Sequence, residues 1–286
     1  MSILSINNVS KWFENANGRT EVLKDINLEI AEGEFVAIVG FTGSGKSTLI
    51  NMIAGLTSPS AGEILLKGKP ITGPGHDRSV IFQNYSLLPW LTVYENIMMA
   101  VNEVYPTWDN HQKDQHVLSM IEMVNLSHAK SKLPKELSGG MRQRTSVARA
   151  LSMNPDLLLM DEPLGALDAL TRGNLQEEIL NIWSKDKKTA LLITNDVDEG
   201  IFMADRIIPL NPGPNATLGP EFVIDIERPR DKTSLNDNDA YKKLRNGLIE
   251  YLMDLGAQNK SGHKEELLLP DIQPNPPKRK FFFRRA

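Results

Sequence analysis

The chain has 286 residues, 41% of them apolar, a net charge of −4 and no cysteine. This length and composition suit about two domains or one large α/β unit with a substantial core, while the missing cysteines exclude disulfides, thiolate metal ligands and a cysteine nucleophile and fit a reducing compartment. The acidic balance argues against a nucleic-acid binder working by bulk electrostatics, and no stretch approaches the ~18 apolar residues of a spanning helix, so any membrane role is peripheral.

In chain order, the pattern predicts strands near 3–9, 22–30 and 35–39. The third is a short apolar run, Val36-Ala37-Ile38-Val39, that Gly40 ends in a turn. Gly40-Phe41-Thr42-Gly43-Ser44-Gly45-Lys46-Ser47 follows, with a helix from about Lys46 to Ala54. Strand, glycine-rich loop and helix are the order that phosphate binding requires. Gly43 and Gly45 let successive N–H groups point inward, and the helix contributes its positive end. Lys46 reaches the β- and γ-phosphates, and Ser47 is a magnesium ligand.

Strands are predicted next at 63–67 and 79–82, the latter leading into Gln83. The segment from Asn84 to Asn96 is rich in aromatic and apolar residues, among them Trp90. It is either a loop packed on its own domain or a docking surface. From about 87 to 136 the pattern is helical and polar, and Ser138, Gly139 and Gly140 then open a further helix carrying Arg142, Gln143, Arg144 and Arg149. A glycine-rich helix start is a second surface for a γ-phosphate.

Residues 157–160 and 190–194 read as buried strands bracketing a helix at about 169–185, which implies a mainly parallel sheet covered on both faces. Asp161 and Glu162 emerge at the carboxyl end of the first of these strands, where open α/β sheets bind ligands. Asp161 holds magnesium through water, and Glu162 orients or deprotonates an attacking water. A helical segment at 239–255 precedes a Pro-rich end without periodicity, which is expected to be disordered. Its last residues, Lys278 to Arg285, gather five basic residues around three phenylalanines, either as a solvated end or as a weak contact with an anionic leaflet.

With Leu137-Ser138-Gly139-Gly140-Met141-Arg142-Gln143-Arg144 between the phosphate loop and the Asp161-Glu162 strand, the chain resembles the ATP-binding subunit of an ABC transporter over roughly residues 1–230. The resemblance implies an ABC-type nucleotide-binding domain, with a RecA-like parallel core, an N-terminal antiparallel β subdomain and an inserted helical subdomain. It implies residues 1–86 and 150–229 as the ATP-binding core and 87–149 as the helical subdomain; beyond its reach, the residue pattern gives 230–258 as a C-terminal helical segment and 259–286 as a disordered basic tail. ATP and magnesium are the implied ligands.

The resemblance also implies roles for individual residues. Thr48 assists at the α-phosphate, Phe13 stacks on adenine with Trp12 in reserve, and Gln83 senses magnesium and water. Asp168 runs across a dimer interface, and Ser138, Gly139 and Gly140 close over the ATP of the partner subunit. The stretch around Trp90 receives a helix of a membrane permease subunit, placing the chain on the cytoplasmic face of the inner membrane and, indirectly, in the service of an extracytoplasmic solute-binding protein. Leu88-Pro89-Trp90-Leu91-Thr92 looks like the nitrate, sulfonate and taurine importers, and segments 211–219 and 223–230 resemble nitrate/nitrite importer ATPases and their bicarbonate and cyanate relatives. Nitrate ranks first among these cargoes.

One position departs from the family. Where these ATPases carry a histidine after the strand that follows the acidic pair, this chain has Asn195. Asparagine still donates from its amide, but it is shorter and never cationic. Either turnover is intact, or this chain's own composite site is weakened while its complete LSGG serves the site of a related, non-identical ATPase in a heterodimer. A nucleotide-binding regulatory subunit with little hydrolysis is the alternative class.

Overall fold

The structure is a computed structural model and describes residues 2–15, 18–165 and 167–262. Strands β1 (Ser2–Asn15) and β2 (Gly18–Ala31) pair antiparallel. Next come β3 (Phe35–Gly40), α1 (Lys46–Ile53), β4 (Ala61–Leu66), β5 (Lys69–Pro70) and β6 (Arg78–Ile81). An inserted helical lobe follows, made of α2 (Val93–Val104), α3 (Asn110–Met123), two short 3-10 turns and α4 (Gly139–Ser152). The chain returns through β7 (Leu157–Asp161), α5 (Ala169–Asp186), β8 (Thr189–Thr194), α6 (Val197–Met203), β9 (Arg206–Leu210) and β10 (Phe222–Val223). It closes with α7 (Lys232–Leu235) and α8 (Asp239–Gly262).

Two sheets result. The order β2-β1-β4-β5 is antiparallel, and β10-β9-β3-β8-β7-β6 is parallel except for the edge strand β10. All residues of β3 are buried, because side chains alternate between two covered faces. Phe35, Ala37 and Val39 pack toward the helical lobe and α5, with Phe35 edge-on to Trp183 at 5.6 Å between ring centroids. Val36 and Ile38 join the core shared by α1 and the antiparallel sheet. Pairing of Val39 with Thr194, and of Asp161 with Ile193, brings the carboxyl ends of β3, β8 and β7 to one edge. The site described below lies along that edge.

Local chemistry fixes the helices of the lobe. Helix α2 starts in a capping box in which Thr92 Oγ1 accepts from Glu95 N (3.2 Å) and Glu95 Oε2 accepts from Thr92 N (2.8 Å). Asp109 and Gln112 repeat the device at α3.

The α/β class and the parallel core agree with expectation, but several boundaries need correction. The first hairpin strands run well beyond 3–9 and 22–30, because β1 and β2 pair along nearly their whole length, with bulges. Helix α4 continues to Ser152, past the 149 boundary, and α8 continues to Gly262, into the stretch from 259 expected to be disordered. The basic aromatic tail, 278–285, lies outside the described residues.

Candidate nucleotide site

The loop between β3 and α1 turns on glycine geometry. Gly45 is the N-cap of α1 with φ 98°, a left-handed conformation that an L side chain resists. A Cβ there would also sit 2.9 Å from Leu23 Cδ2, so both backbone and space require glycine. The loop and α1 border a cavity of about 970 Å3, lined among others by Thr42, Gly43, Lys46, Ser47, Thr48 and Gln83. Its far wall carries Glu162, Leu164, Gly165 and the run from Thr194 to Glu199. Phe41 is solvent-exposed on the outer flank of the loop, whereas Gly40 and Ser44 are buried.

Lys46 is 4% exposed, an uncommon degree of burial for a lysine. Its Nζ donates to Gly40 O and Phe41 O at 2.9 Å each and to Asn195 Oδ1 at 2.5 Å, and lies 3.3 Å from Glu162 Oε1. Burial lowers its pKa, against the opposing pull of Glu162 and Asp161. Asp161 shifts the other way. Burial raises it, the hydrogen bond from Ser47 opposes the rise, and the Glu162 charge adds to it.

Glu162 has φ 45°, a left-handed backbone in a non-glycine residue, which costs about 1–3 kcal/mol. Glu162 N donates to Ile193 O (2.8 Å) and Gly165 N donates to Glu162 O (3.2 Å), so the turn is held from both sides. The carboxylate is thereby aimed back toward Lys46 and into the cavity.

The turn after β8 is built around Asn195. Asp196 caps α6, accepting from Asp198 N (2.9 Å) and Glu199 N (3.1 Å), and its own N donates to Thr194 Oγ1 (3.0 Å). Thr194 Oγ1 also donates to the buried Glu199, which accepts from Gln176 Nε2 at 3.2 Å. From α5, Arg172 approaches Asp196 at 3.6 Å and donates to Leu167 O at 3.0 Å. From α8, Tyr241 Oη (2.7 Å) and Arg245 Nε (2.6 Å) donate to Asp198 Oδ1. Burial, with the Asp198 bond adding, pushes the Tyr241 phenol up to about 12, so it remains a proton donor. Arg172, Asp198, Glu199 and Arg245 all line the cavity, and sequence reasoning missed them. Glu199 and Arg172 read as ordinary polar helix positions, and Arg245 is 47 residues from its partner.

Ser138 caps α4, its Oγ accepting from Met141 N at 3.3 Å. A Cβ on Gly140 would lie 2.7 Å from Thr171 Cγ2, and one on Gly139 would lie 3.3 Å from Leu167 Cδ2. The glycines thus let α4 start flush against the segment where Asp168 caps α5, accepting from Thr171 N at 3.0 Å. Ser138, Gly139, Gly140 and Asp168 are not among the residues lining the cavity. Nor is Phe13, which is 43% exposed on β1 with the Lys11 ammonium 5.0 Å above its ring. Trp12 has one face covered by Arg19, 3.5 Å away.

The loop before α2 is held by one fully buried residue. Asn96 Nδ2 donates to Leu88 O (3.2 Å), Leu91 O (2.9 Å) and Thr92 O (3.0 Å), while its Oδ1 accepts from Leu88 N (2.9 Å). Trp90, at the tip of this fixed loop, is 69% exposed.

Magnesium commonly takes only one or two protein oxygens beside phosphates and water. The donor set fits that habit: Ser47, which lines the cavity, has its Oγ 3.2 Å from Oδ1 of Asp161, which is not among the lining residues, and among the described residues there is no cluster of three or more His, Cys, Asp or Glu able to hold a metal alone. Ser44 Oγ, buried in the loop without a hydrogen-bond partner, is consistent with a site completed by a ligand.

A phosphate loop, an acidic pair and a polar turn converging at the carboxyl edge of a parallel sheet define a P-loop nucleotide-binding protein of the α/β class. The chain belongs to the ABC transporter family, whose domain description, ABC transporter, matches residues 23–165; it is an ATP-binding subunit and a transport ATPase. It is 45% identical over 263 residues to the bicarbonate transport ATP-binding protein CmpD of Synechococcus elongatus, covering 92% of this chain and 93% of that one. It is 44% identical over 244 residues to the nitrate import ATP-binding protein NrtD of the same species, covering 85% and 89%. The nitrate import ATP-binding protein NrtC is 46% identical over 250 residues, which are 87% of this chain but 38% of NrtC. A dimeric structure of MJ0796, a bacterial ABC transporter cassette, superposes with a TM-score of 0.71 at 31% identity, covering 78% of this chain and all of that one. Among the described residues no helix is long and apolar enough to cross a membrane.

Proposed function

We propose that this chain energises an importer for a small inorganic oxyanion, with nitrate as the expected cargo. The observation that carries this reading is the near-end-to-end similarity to NrtD. Bicarbonate is the second reading, favoured by a similarity to CmpD that covers more of this chain, 92% against 85%, at 45% identity against 44%.

In this reading Lys46 neutralises the β- and γ-phosphates, the Gly43–Gly45 backbone cradles them, and Thr48 assists at the α-phosphate. Phe13 stacks on adenine. Ser47 and Asp161 would hold magnesium, which would supply positive charge to the phosphates when bound. Glu162 orients the attacking water, with Gln83 beside it, and Asn195 stands where the family places histidine. Ser138, Gly139 and Gly140 close over the ATP of a second, related ATPase, with Asp168 at the junction. Support for this division comes from the cavity, which those four residues do not line. The presence of NrtC with NrtD, and of CmpC with CmpD, among the relatives favours a heterodimer of two related ATPases, and Asn195 in the place of histidine favours slow turnover at this chain's own site. The exposed Trp90 loop docks on a permease subunit at the cytoplasmic face of the membrane, below an extracytoplasmic binding protein.

The test is to purify the chain with the subunits that accompany it, reconstitute them in vesicles and measure ATP hydrolysis with nitrate and with bicarbonate outside. Stimulation by nitrate alone is expected. Stimulation by bicarbonate alone reassigns the cargo, and a response to neither overturns the oxyanion reading.

A further inference from the structure

Helix α8 reaches the nucleotide cavity from outside the segment matched by the family description, which ends at residue 165. Its apolar anchors are Tyr241 and Leu248, both buried in the core. Those anchors already account for its attachment. Beyond them, the Tyr241 hydroxyl and the Arg245 guanidinium converge on one carboxylate, Asp198, with Arg245 using Nε to Oδ1 (2.6 Å) and Nη2 to Oδ2 (3.3 Å). A two-point fork of this kind fixes direction as well as distance. Arg245 itself forms part of the cavity wall.

Asp198 lies in the first turn of α6, three residues after Asn195. The cap that starts this helix ties Asp198 N and Glu199 N to Asp196, and Asp196 N to Thr194, so Asn195 sits inside a closed hydrogen-bonded turn. Moving the first turn of α6 therefore moves Asn195, and Asn195 contacts Lys46. The same helix continues past the loop: Tyr251 Oη donates to Asn211 Oδ1 (3.1 Å), and Gly256 approaches Phe41, to which a Cβ would be 3.4 Å distant. At 1.5 Å per residue, α8 spans roughly 22 Å between Tyr241 and Gly256, bridging the Asn195 turn and the phosphate loop.

We infer that Tyr241 and Arg245 are positioning residues for this ATP site: acting through Asp198, they hold the Asn195 turn in register with Lys46. The inference rests on the ATPase reading above. The Arg245 and Asp198 side chains are 40% and 47% exposed, and such pairs contribute little to stability. Their effect is geometric, and misplacement of a catalytic group by an ångström is enough to slow a reaction severely.

The experiment uses the assembled complex with the partner ATPase disabled at its own catalytic glutamate, so that only this chain's site turns over. Single-turnover rate and ATP affinity are measured for Arg245→Ala, for the double variant Tyr241→Phe/Arg245→Ala and for Arg245→Lys. The expected result is a rate loss of roughly tenfold or more in the first two with ATP affinity held within about twofold, a nearly unchanged melting temperature, and substantial recovery in Arg245→Lys. An unchanged rate in the double variant overturns the inference, as does a loss that tracks the melting temperature and is not rescued by lysine. Lys46→Ala separates the two levels. If it weakens ATP binding by roughly tenfold or more while the α8 variants are silent, only this inference fails; if it leaves binding intact, the ATPase reading fails with it.

Discussion

The side-chain carbonyl of Asn195 accepts a hydrogen bond from the buried ammonium of Lys46, 2.5 Å away, with Glu162 on the same cation at 3.3 Å. The phosphate-loop cation is thus bound to the two groups that face the γ-phosphate in the proposed site. A triphosphate entering the loop takes over that cation, and Asn195 is left with its amide donor and no positive charge. Replacing it by a longer, ionisable side chain restores what the family uses at this position. Asn195→His is expected to raise the single-turnover rate at this chain's site by roughly tenfold, given what one well-placed donor contributes in a catalytic site. Rapid-quench measurement on the assembled complex checks it, and an unchanged or lower rate removes Asn195 as the limiting feature.

Lys46 also predicts a pH dependence. Its pKa in the folded chain is held below the ordinary 10.5 by burial. Between the lowered value and 10.5 the unfolded chain binds more protons, so the stability cost of burying this charge is fully present at lower pH and is relieved as pH rises through that window. Phosphate binding has the opposite sign, because it needs the charge. ATP affinity of the isolated chain should decline as pH climbs through the lowered pKa, before 10.5 is reached. Titration calorimetry across alkaline pH reads this directly, and affinity flat up to 10.5 would contradict it.

Much of this site was legible because its parts are local. The apolar run Val36–Val39, the glycines after it and the acidic pair after Met160 each carry their chemistry within a few residues. Strand β9 was not legible. Pro209 argues against an interior strand, yet it is tolerated because β10 pairs only with Arg206 and Ile207, leaving Pro209 beyond the end of that ladder. Helix α6, with seven residues, is too short to show a period. The hold of Tyr241 and Arg245 on Asp198 spans more than forty residues, and Asn96 reads in sequence as one more polar position of α2. Long-range polar pairing of this kind leaves no local signature.

The Trp90 loop owes its shape to Asn96, whose amide satisfies three carbonyls of the loop. Asn96→Ala takes the partners from Leu91 O and Leu88 N, whereas Leu88 O and Thr92 O keep the backbone N–H groups of Leu91 and residue 96, and it should destabilise the chain by about 1–3 kcal/mol. Trp90→Ala removes only an exposed ring. It should leave stability and ATP binding of the isolated chain unchanged while dissociating or uncoupling the transporter. Denaturant melts and transport assays on both variants distinguish them, and full transport with Trp90→Ala would count against docking.

The LSGG start of α4 predicts an asymmetry between the two proposed ATP sites. Gly140→Ala drives a methyl group into Thr171, and Ser138→Ala removes the cap of α4 at a cost of about 1 kcal/mol. Both should slow hydrolysis at the partner's site more than at this chain's own. Glu162→Gln should do the reverse, and it should cost the assembled transporter less than the equivalent change in the partner. Each tenfold difference corresponds to about 1.4 kcal/mol, well within the reach of single-turnover assays. Equal and complete losses from the two glutamate changes would mean that both sites work alike.

Whether Lys46 and its loop hold the triphosphate of ATP is decided by equilibrium binding of ATP with magnesium to the isolated 286-residue chain and its Lys46→Ala variant. Loss of a buried cation from a phosphate site costs charge-assisted hydrogen bonds of about 1.5–3 kcal/mol each, so affinity should fall by roughly tenfold to a hundredfold or more. Affinity unchanged by Lys46→Ala, in a variant that remains folded, would contradict the account.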